Sequence, residues 1–386
     1  MSAYDIAIVG SGSIGLPLSY YCAREGLKVL VLDREASWGR GQNRAAIGGI
    51  RATFSDPAKI RICSESLAIA SAFKEEHGAD IEWRRGGYLF VAYDEERERS
   101  FKDLLAIQRS AGLEIGWIGP EQVGELAAGL SMEGLRGGTF SPGDGYASPL
   151  KAGSAYHSLA AAAGVEFRFG EEVTRLEMKG SRILRIATSK GCYEAGLYVD
   201  AAGAFAAPLA AMAGVSLPVS PDCHEAGVTE PVARFLEPML VDIRSDEESG
   251  NFYFYQAVTG QIVFCITPNP QVWATDTDNT SWFLPHCARR MVDLYPRLAD
   301  LKVRRTWRGL YPNTPDGQPV VGFAREADNF LIAAGMCGQG FMLGFGLGRI
   351  LAEIIVGGGP RYSGPHAFIL EQLSPYRRFE GSELLK

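Results

Sequence analysis

The sequence is poor in the residues that staple or metallate a fold. Its seven cysteines are odd in number and scattered, with no C-x-x-C pair, and its five histidines are dispersed. A disulfide framework or a zinc site of ordinary spacing is thereby excluded, no metal is expected, and reduced thiols in a cytoplasm are the expectation. Cys223 and His224 form an adjacent Cys/His pair. Adjacent residues chelate poorly, so both read as structural. Positive charge is scarce as well: 38 Lys and Arg against 45 Asp and Glu leave a net charge of −7. Nothing here offers a nucleic acid a basic footprint. No apolar run is long enough to cross a bilayer. The apolar residues 6–9 are too few for a signal peptide, no cationic stretch precedes them, and glycines follow at once. Lysine is missing altogether between Lys190 and Lys302.

Glycine is what the chain has, and its placement carries the information. Ile6-Ala7-Ile8-Val9 is a short strand, and Gly10-Ser11-Gly12-Ser13-Ile14-Gly15 follows it directly. A helical segment, Leu16 to Glu25, closes on Gly26; a second apolar run, Val29 to Leu32, ends on Asp33. Strand, glycine turn, helix, strand and acid make the whole βαβ unit of a dinucleotide site. Gly10 permits the tight turn, Gly12 lets backbone approach a pyrophosphate, and Gly15 lets helix and strand pack closely. The helix N-terminus, with Ser13 and Ile14, offers unpaired N–H groups and a positive dipole end to phosphate. Asp33 is placed to accept hydrogen bonds from ribose hydroxyls and would repel a 2′-phosphate, which argues against NADP.

At 386 residues, 46% hydrophobic and 22% charged, the chain is an ordinary globular sequence long enough for two or three domains. The loop from Arg34 to Arg51 interleaves glycine with arginine and reads as irregular backbone passing close to a bound ring or phosphate. Asp56 and Pro57 cap and open a helix over 58–76. A strand follows at Gly87–Tyr93, and the charged run from Asp94 to Arg99 opens a further helix as a solvated face. Residues 150–163 read as an alanine-rich helix, and Val165–Phe169 and Val173–Leu176 as strands of the first domain resuming. Leu197 to Phe205 reads as a buried strand ending in small residues. Residues 212–310 change character, with prolines, the strands Phe252–Tyr255 and Gln261–Ile266, and one helix near 281–296. The strand Phe330–Ala333, a second glycine turn and a helix over 341–356 return to the first style. The fold class is α/β: a Rossmann-like domain (1–80, 140–211 and 318–386) interrupted by an α+β, mainly antiparallel β domain (81–139 and 212–317).

With these motifs in this order the chain resembles the D-amino-acid oxidase-like family of FAD oxidoreductases, in its sarcosine oxidase, glycine oxidase and L-proline dehydrogenase β-subunit branch. Besides the N-terminal fingerprint, the resemblance rests on Gly-Gly-Ile-Arg at 48–51, Gly-Gly-Tyr-Leu at 86–89 and Asp-Gly-Tyr-Ala-Ser-Pro at 144–149. It continues through Asp-Ala-Ala-Gly-Ala-Phe-Ala at 200–206, residues 307–319, Ala-Ala-Gly-Met-Cys-Gly-Gln-Gly-Phe-Met at 333–342 and Pro-Tyr-Arg-Arg-Phe at 375–379. It implies a glutathione-reductase-type flavoprotein with non-covalent FAD. The implied contacts are Gly10, Gly12, Ser13, Ile14 and Gly15; Asp33 and Arg34; and Arg44, Ala45, Gly48 and Gly49. From later in the chain it adds Val173, Ala202, Gly203, Gly309, Gly335, Gly338, Gln339, Gly340, Phe341 and Met342. A covalent flavin link is not expected: the cysteine used by monomeric sarcosine oxidases falls near Gly309, and residues 39–51 hold no histidine.

The implied reaction removes a hydride from the carbon beside a neutral amine of a small amino or imino acid, delivers it to flavin N5 and leaves an imine to hydrolyse. A substrate carboxylate calls for a fixed cation, and arginine's fork suits it. Arg51 matches the carboxylate arginine of sarcosine oxidases. Tyr253 matches a substrate-contacting tyrosine of glycine oxidase, and Tyr311 stands where that enzyme has its carboxylate arginine, with Arg308 as a substitute three residues away. Met342 replaces a lysine of the sarcosine oxidases. The lysine that promotes attack by dioxygen has no counterpart between 190 and 302, which tilts the expectation from oxidase to dehydrogenase, with an acceptor protein or quinone in place of dioxygen. Two alternatives remain open: a flavin subunit that needs a partner subunit, and a 2-hydroxy-acid or glycerophosphate oxidoreductase. A homo-oligomer is compatible with each.

Overall fold

The computed structural model describes residues 3–385. Two sheets organise it. The first has six strands in the order Val320–Phe323, Phe330–Ala334, Ala195–Asp200, Tyr4–Val9, Val29–Asp33 and Glu166–Phe169. All neighbours are parallel except the Val320–Phe323 edge. Its central strands are continuous apolar runs because both faces are buried. Ile6, Ile8, Val29 and Val31 pack on one side with the helices Gly15–Arg24, Pro57–His77, Pro149–Ala162 and Gly340–Val356. Ala7, Leu30 and Leu32 face the other side, towards Leu176, Ile183 and Ile186.

Those last three residues belong to a small antiparallel sheet, Val173–Lys179, Arg182–Thr188 and Cys192–Tyr193. Residues 173–176 are therefore a strand, as the sequence suggested, in a small sheet that covers one face of the parallel sheet. Only Leu176 of Val-Thr-Arg-Leu-Glu-Met-Lys is buried. A strand with one wet face covers a sheet; it does not run through the middle of one. The expected strand over 197–205 stops at Asp200, and Gly203–Phe205 is a turn of 3₁₀ helix.

The second sheet has eight strands: Val303–Asn313, Ser220–Pro231, Gln261–Pro268, Ser249–Gln256, Met239–Asp242, Tyr88–Ala92, Gly137–Ser141 and Gly116–Ile118. It is antiparallel throughout except between Met239–Asp242 and Tyr88–Ala92. The boundary expected between residues 139 and 140 falls inside Gly137–Ser141, a strand paired wholly within this sheet. Strand alternation sorts its side chains. Leu89, Val91, Phe252 and Phe254 pack beneath the helix Phe283–Leu294; Tyr88, Phe90 and Tyr253 point the opposite way. That second face looks at the end of the parallel sheet, and the site lies there.

Asp200 ends a central strand fully buried, with Oδ1 accepting the Ala202 amide at 3.0 Å and Oδ2 without a partner among the described residues. Burial pushes its carboxyl up to about 8 against that one opposing hydrogen bond. The folded state therefore keeps a proton that the unfolded chain has lost above its ordinary value of 3.8. Stability falls as pH rises through this window. Asp200→Asn is expected to stabilise the protein by about 1–3 kcal/mol at neutral pH, with little effect below pH ~4. Melting temperatures between pH 4 and 9 measure the difference; parallel curves for the two proteins would refute it.

Candidate active site

The glycine turn is packed on two sides and open on a third. A Cβ on Gly10, whose φ is +107°, would lie 2.3 Å from the Ala201 carbonyl oxygen, and one on Gly15 would lie 1.9 Å from that of Gly10. A Cβ on Gly12 would meet nothing within 4 Å. No side chain caps the helix Gly15–Arg24 among the described residues; in its first turn the Leu16 amide donates to the Gly12 carbonyl at 3.2 Å, and Pro17 has no N–H. Ser13 Oγ donates to Asn43 Oδ1 at 2.8 Å, tying the turn to the loop that follows Asp33. Asp33 accepts from Ser11 N (2.8 Å), Ser11 Oγ (2.5 Å) and Glu35 N (2.9 Å). Three of about four lone-pair positions are thus already used to brace the turn. Arg34 lays its guanidinium 3.6 Å over the Phe205 ring, beside Ala202 and Gly203, and Val173 packs in the same cluster as Ala202.

Residues 42–49 are held by the large sheet. Gln42 Oε1 accepts the Leu310 amide at 2.5 Å, and Trp307 Nε1 donates to the Ala45 carbonyl at 2.9 Å. Gly309 is required between them, since a Cβ there would stand 2.6 Å from that of Ala45. Gly49 does the same for Tyr88, whose hydroxyl lies 1.8 Å from where a Cβ would be; a Cβ on Gly48 would stand 2.3 Å from the Ala147 carbonyl oxygen. Arg44 is exposed.

The second glycine turn approaches from the other side. Gly335, Cys337 and Gly338 all have left-handed φ, at +63°, +49° and +79°. The Tyr311 ring occupies the position where Gly338 would carry a side chain, 2.2 Å from an ideal Cβ. Gln339 and Gly340 then open the helix Gly340–Val356, also without a side-chain cap among the described residues. Gln339 Oε1 is buried with no partner among them. Phe341 turns its ring away into the core, edge-on to Phe345 at 5.5 Å.

Between this turn and the open face of the large sheet is a cavity of about 470 Å³. Arg51, Tyr253, Tyr311, Gly338, Gln339 and Met342, all singled out from the sequence, line it. Tyr88, Phe90, Met239 and Val241 form its apolar wall. The Arg51 guanidinium is held by the carbonyls of Thr53 and Leu385 and lies 3.9 Å over the Phe54 ring. Behind it Asp144 accepts from Ala52 N (3.0 Å) and Thr53 Oγ1 (2.6 Å); burial lifts its carboxyl to about 6. The Tyr253 and Tyr311 hydroxyls are 2.8 Å apart, and burial raises both phenols, so both keep their protons at neutral pH.

Arg308 does not reach the cavity. Residues three apart on a strand point to opposite faces. While Tyr311 faces the site, Arg308 pairs with Asp276 Oδ2 at 2.7 Å and donates to the Asp278 carbonyl. Conversely, the sequence reading assigned His224 to structure, yet its ring lines the cavity, stacked on Tyr311 with centroids 3.7 Å apart. Its Nε2 is 2.9 Å from Asp222 Oδ2. Burial would raise the Asp222 carboxyl, but the His224 hydrogen bond and charge, with the Val272 amide and Gln271, hold it below the usual range. The legible signal was Asp-x-His on a strand, which puts both side chains on one face. Cys337 also lines the cavity, and Cys265 donates to the Glu225 carbonyl at 3.1 Å. The whole arrangement presents a preorganised arginine, an apolar wall and a neutral phenol pair, beside the uncapped helix end at Gly340.

The chain matches the family model described as FAD dependent oxidoreductase (DAO) over residues 5–354. The β subunit of sarcosine oxidase from Rhodobacter capsulatus is 24% identical over 92% of this chain and 85% of its own length. Glycine oxidase from Geobacillus kaustophilus is 26% identical over 91% and 93%. The crystal structure of L-proline dehydrogenase from P. horikoshii superposes with a TM-score of 0.89 at 29% identity, covering 97% of this chain and 98% of that one. Among the described residues no helix is long and apolar enough to cross a membrane.

Proposed function

We propose that this chain, which belongs to the DAO family of FAD dependent oxidoreductases, oxidises the carbon–nitrogen bond of a small amino or imino acid. The observation that carries the reading is the buried, doubly anchored Arg51 guanidinium on the wall of a cavity otherwise lined largely by apolar and neutral groups. Such a fixed fork binds a carboxylate at little ordering cost.

The residues present fit FAD, bound without a covalent link. The space beside Gly12 is a cradle that a Cβ would fill, and the open N-termini of two helices suit the pyrophosphate and the ring system. In this reading Gly10–Gly15, Asp33 and Arg34 hold the nucleotide. Residues 44–49, Ala202–Gly203, Gly309 and 335–342 surround the flavin. The first sheet with its helices is the cofactor domain and the eight-stranded sheet the substrate domain. The bound flavin supplies the two-electron acceptor. Arg51 orients the substrate by its carboxylate, the wall of Tyr88, Phe90, Met239 and Met342 excludes water, and the protonated Tyr253–Tyr311 pair donates hydrogen bonds without titrating. Among the described residues the cavity wall contains no lysine to attract developing superoxide. That favours a dehydrogenase, passing electrons to a protein or quinone, over an oxidase.

Anaerobic stopped-flow absorbance of the holoprotein against glycine, sarcosine, L- and D-proline, hydroxyprolines and D-alanine tests this. Bleaching of the flavin by at least one of them is expected, with slow recolouring when air is admitted. Bleaching by 2-hydroxy acids or glycerophosphate alone would overturn the amine reading. A flavin inert to all of them until a co-purified partner is added would mark a subunit of a larger dehydrogenase.

A further inference from the structure

The segment at residues 383–385 lies behind the cavity, where Leu385 packs in one cluster with Tyr88, Phe90 and Met239 of its wall. Glu383 and Lys59 form an ion pair at 3.0 Å with both side chains fully buried. Glu383 Oε1 also accepts from Ser55 N (3.0 Å), Ser55 Oγ (2.7 Å) and Leu385 N (3.2 Å), and Oε2 from Gln318 Nε2 at 3.4 Å. Although burial works against it, the Lys59 charge and the Ser55 donors bring the carboxyl down to about 2, so it stays ionised. Leu385 is buried among Tyr88, Phe90 and Met239, and its carbonyl holds Arg51 Nη2. Phe54 carries the Lys59 ammonium 4.1 Å and the Arg51 guanidinium 3.9 Å from its ring centre. The ion pair and the fork are thus mechanically joined twice, through one ring and through two residues of backbone.

A buried ion pair is often neutral or costly for stability compared with apolar residues of the same volume. Its retention here has a positional explanation. Two of Arg51's five N–H groups are fixed by Thr53 and Leu385, which sets the plane of the guanidinium and leaves the other donors available to a ligand. We propose that Glu383 is a positioning residue: anchored on Lys59 and Ser55, it seats the Leu385 carbonyl that aims Arg51 at the substrate carboxylate. The proposal rests on the carboxylate role of Arg51 given above, and the two are separable by experiment.

The probe is cyclopentanecarboxylate, the carbon frame of an imino acid without a nitrogen to oxidise, with cyclopentanecarboxamide as its neutral counterpart. Calorimetric Kd values on the FAD-loaded protein are read beside its melting temperature. Glu383→Gln is expected to raise the Kd of the carboxylate about tenfold and leave that of the amide unchanged. In an Arg51→Lys background it should add less than about twofold, because both changes act on one contact. Ser55→Ala, which keeps the ion pair, should give a smaller rise of the same kind and serves if Glu383→Gln does not fold. Unchanged carboxylate affinity in both variants, or tighter binding in either, would overturn the proposal. So would full additivity with Arg51→Lys. If Arg51→Lys alone leaves carboxylate affinity intact, the role of Arg51 fails first and takes the proposal with it.

Discussion

A Gly12→Ala protein is expected to fold as well as its parent and to emerge colourless, whereas Gly15→Ala is expected to fail at folding itself. The two glycines are three residues apart in one turn, yet the space around them differs completely. At Gly15 a methyl would sit 1.9 Å from the Gly10 carbonyl oxygen and 3.4 Å from Ile8. The clash is with backbone that is itself pinned, since Gly10 donates to the Leu32 carbonyl at 2.8 Å. Relief requires the helix Gly15–Arg24 to lift from the sheet, and the same helix packs closely on Gly348 of the last long helix. Overpacking of this kind costs about 1–3 kcal/mol or more. At Gly12 the methyl meets no protein atom within 4 Å, so the apoprotein should melt within about 1 °C of its parent, as neutral substitutions do. It would, however, occupy the space assigned to the pyrophosphate and should weaken FAD binding by about two orders of magnitude. Flavin content on purification and the melting temperature of the apoprotein read both quantities. A yellow Gly12→Ala protein would remove the cofactor from this cradle.

Arg51→Lys is expected to lower kcat/KM for a carboxylate-bearing substrate by about 10²–10³-fold, or 2.7–4 kcal/mol. Lysine keeps the charge and loses the fork. A single ammonium cannot satisfy the Thr53 and Leu385 carbonyls, stack on Phe54 and still face the cavity. Because the guanidinium holds the substrate before and during reaction, most of the loss should appear in KM. Steady-state kinetics with an amine lacking the carboxylate supply the control: there the variant and the parent should differ by less than about threefold. Equal losses on both kinds of substrate would make Arg51 a structural residue.

The sequence made legible what depends on local backbone physics. The distinct jobs of Gly10, Gly12 and Gly15 follow from spacing within one turn, and the Asp56 cap with Pro57 follows from one helix end, where Asp56 accepts the Lys59 amide. Arg308 was misplaced because proximity in sequence was taken for proximity in space, when a strand turns every second side chain away. His224 was passed over because it was weighed against Cys223, its neighbour on the opposite face, and not against Asp222 on its own. Glu383 gave no sign at all. A glutamate between Ser382 and Leu384 carries no period, and its partner Lys59 is 324 positions away.

The order of strands in the parallel sheet also governs when the protein can exist. Tyr4–Val9 pairs with Ala195–Asp200, which in turn pairs with Phe330–Ala334. The turn around Gly12 is then closed over by the helix that begins at Gly340, where Gly344 passes the Ser13 carbonyl. A ribosome thus releases the first strand long before Ala195–Asp200, which pairs with it, and longer still before Phe330–Ala334 and the helix that begins at Gly340. Contacts so distant form slowly and leave apolar edges bare in the meantime. Flavin loading therefore belongs to the end of synthesis, and a nascent chain arrested before residue 340 should hold no FAD, although its nucleotide fingerprint was finished in the first thirty-three residues.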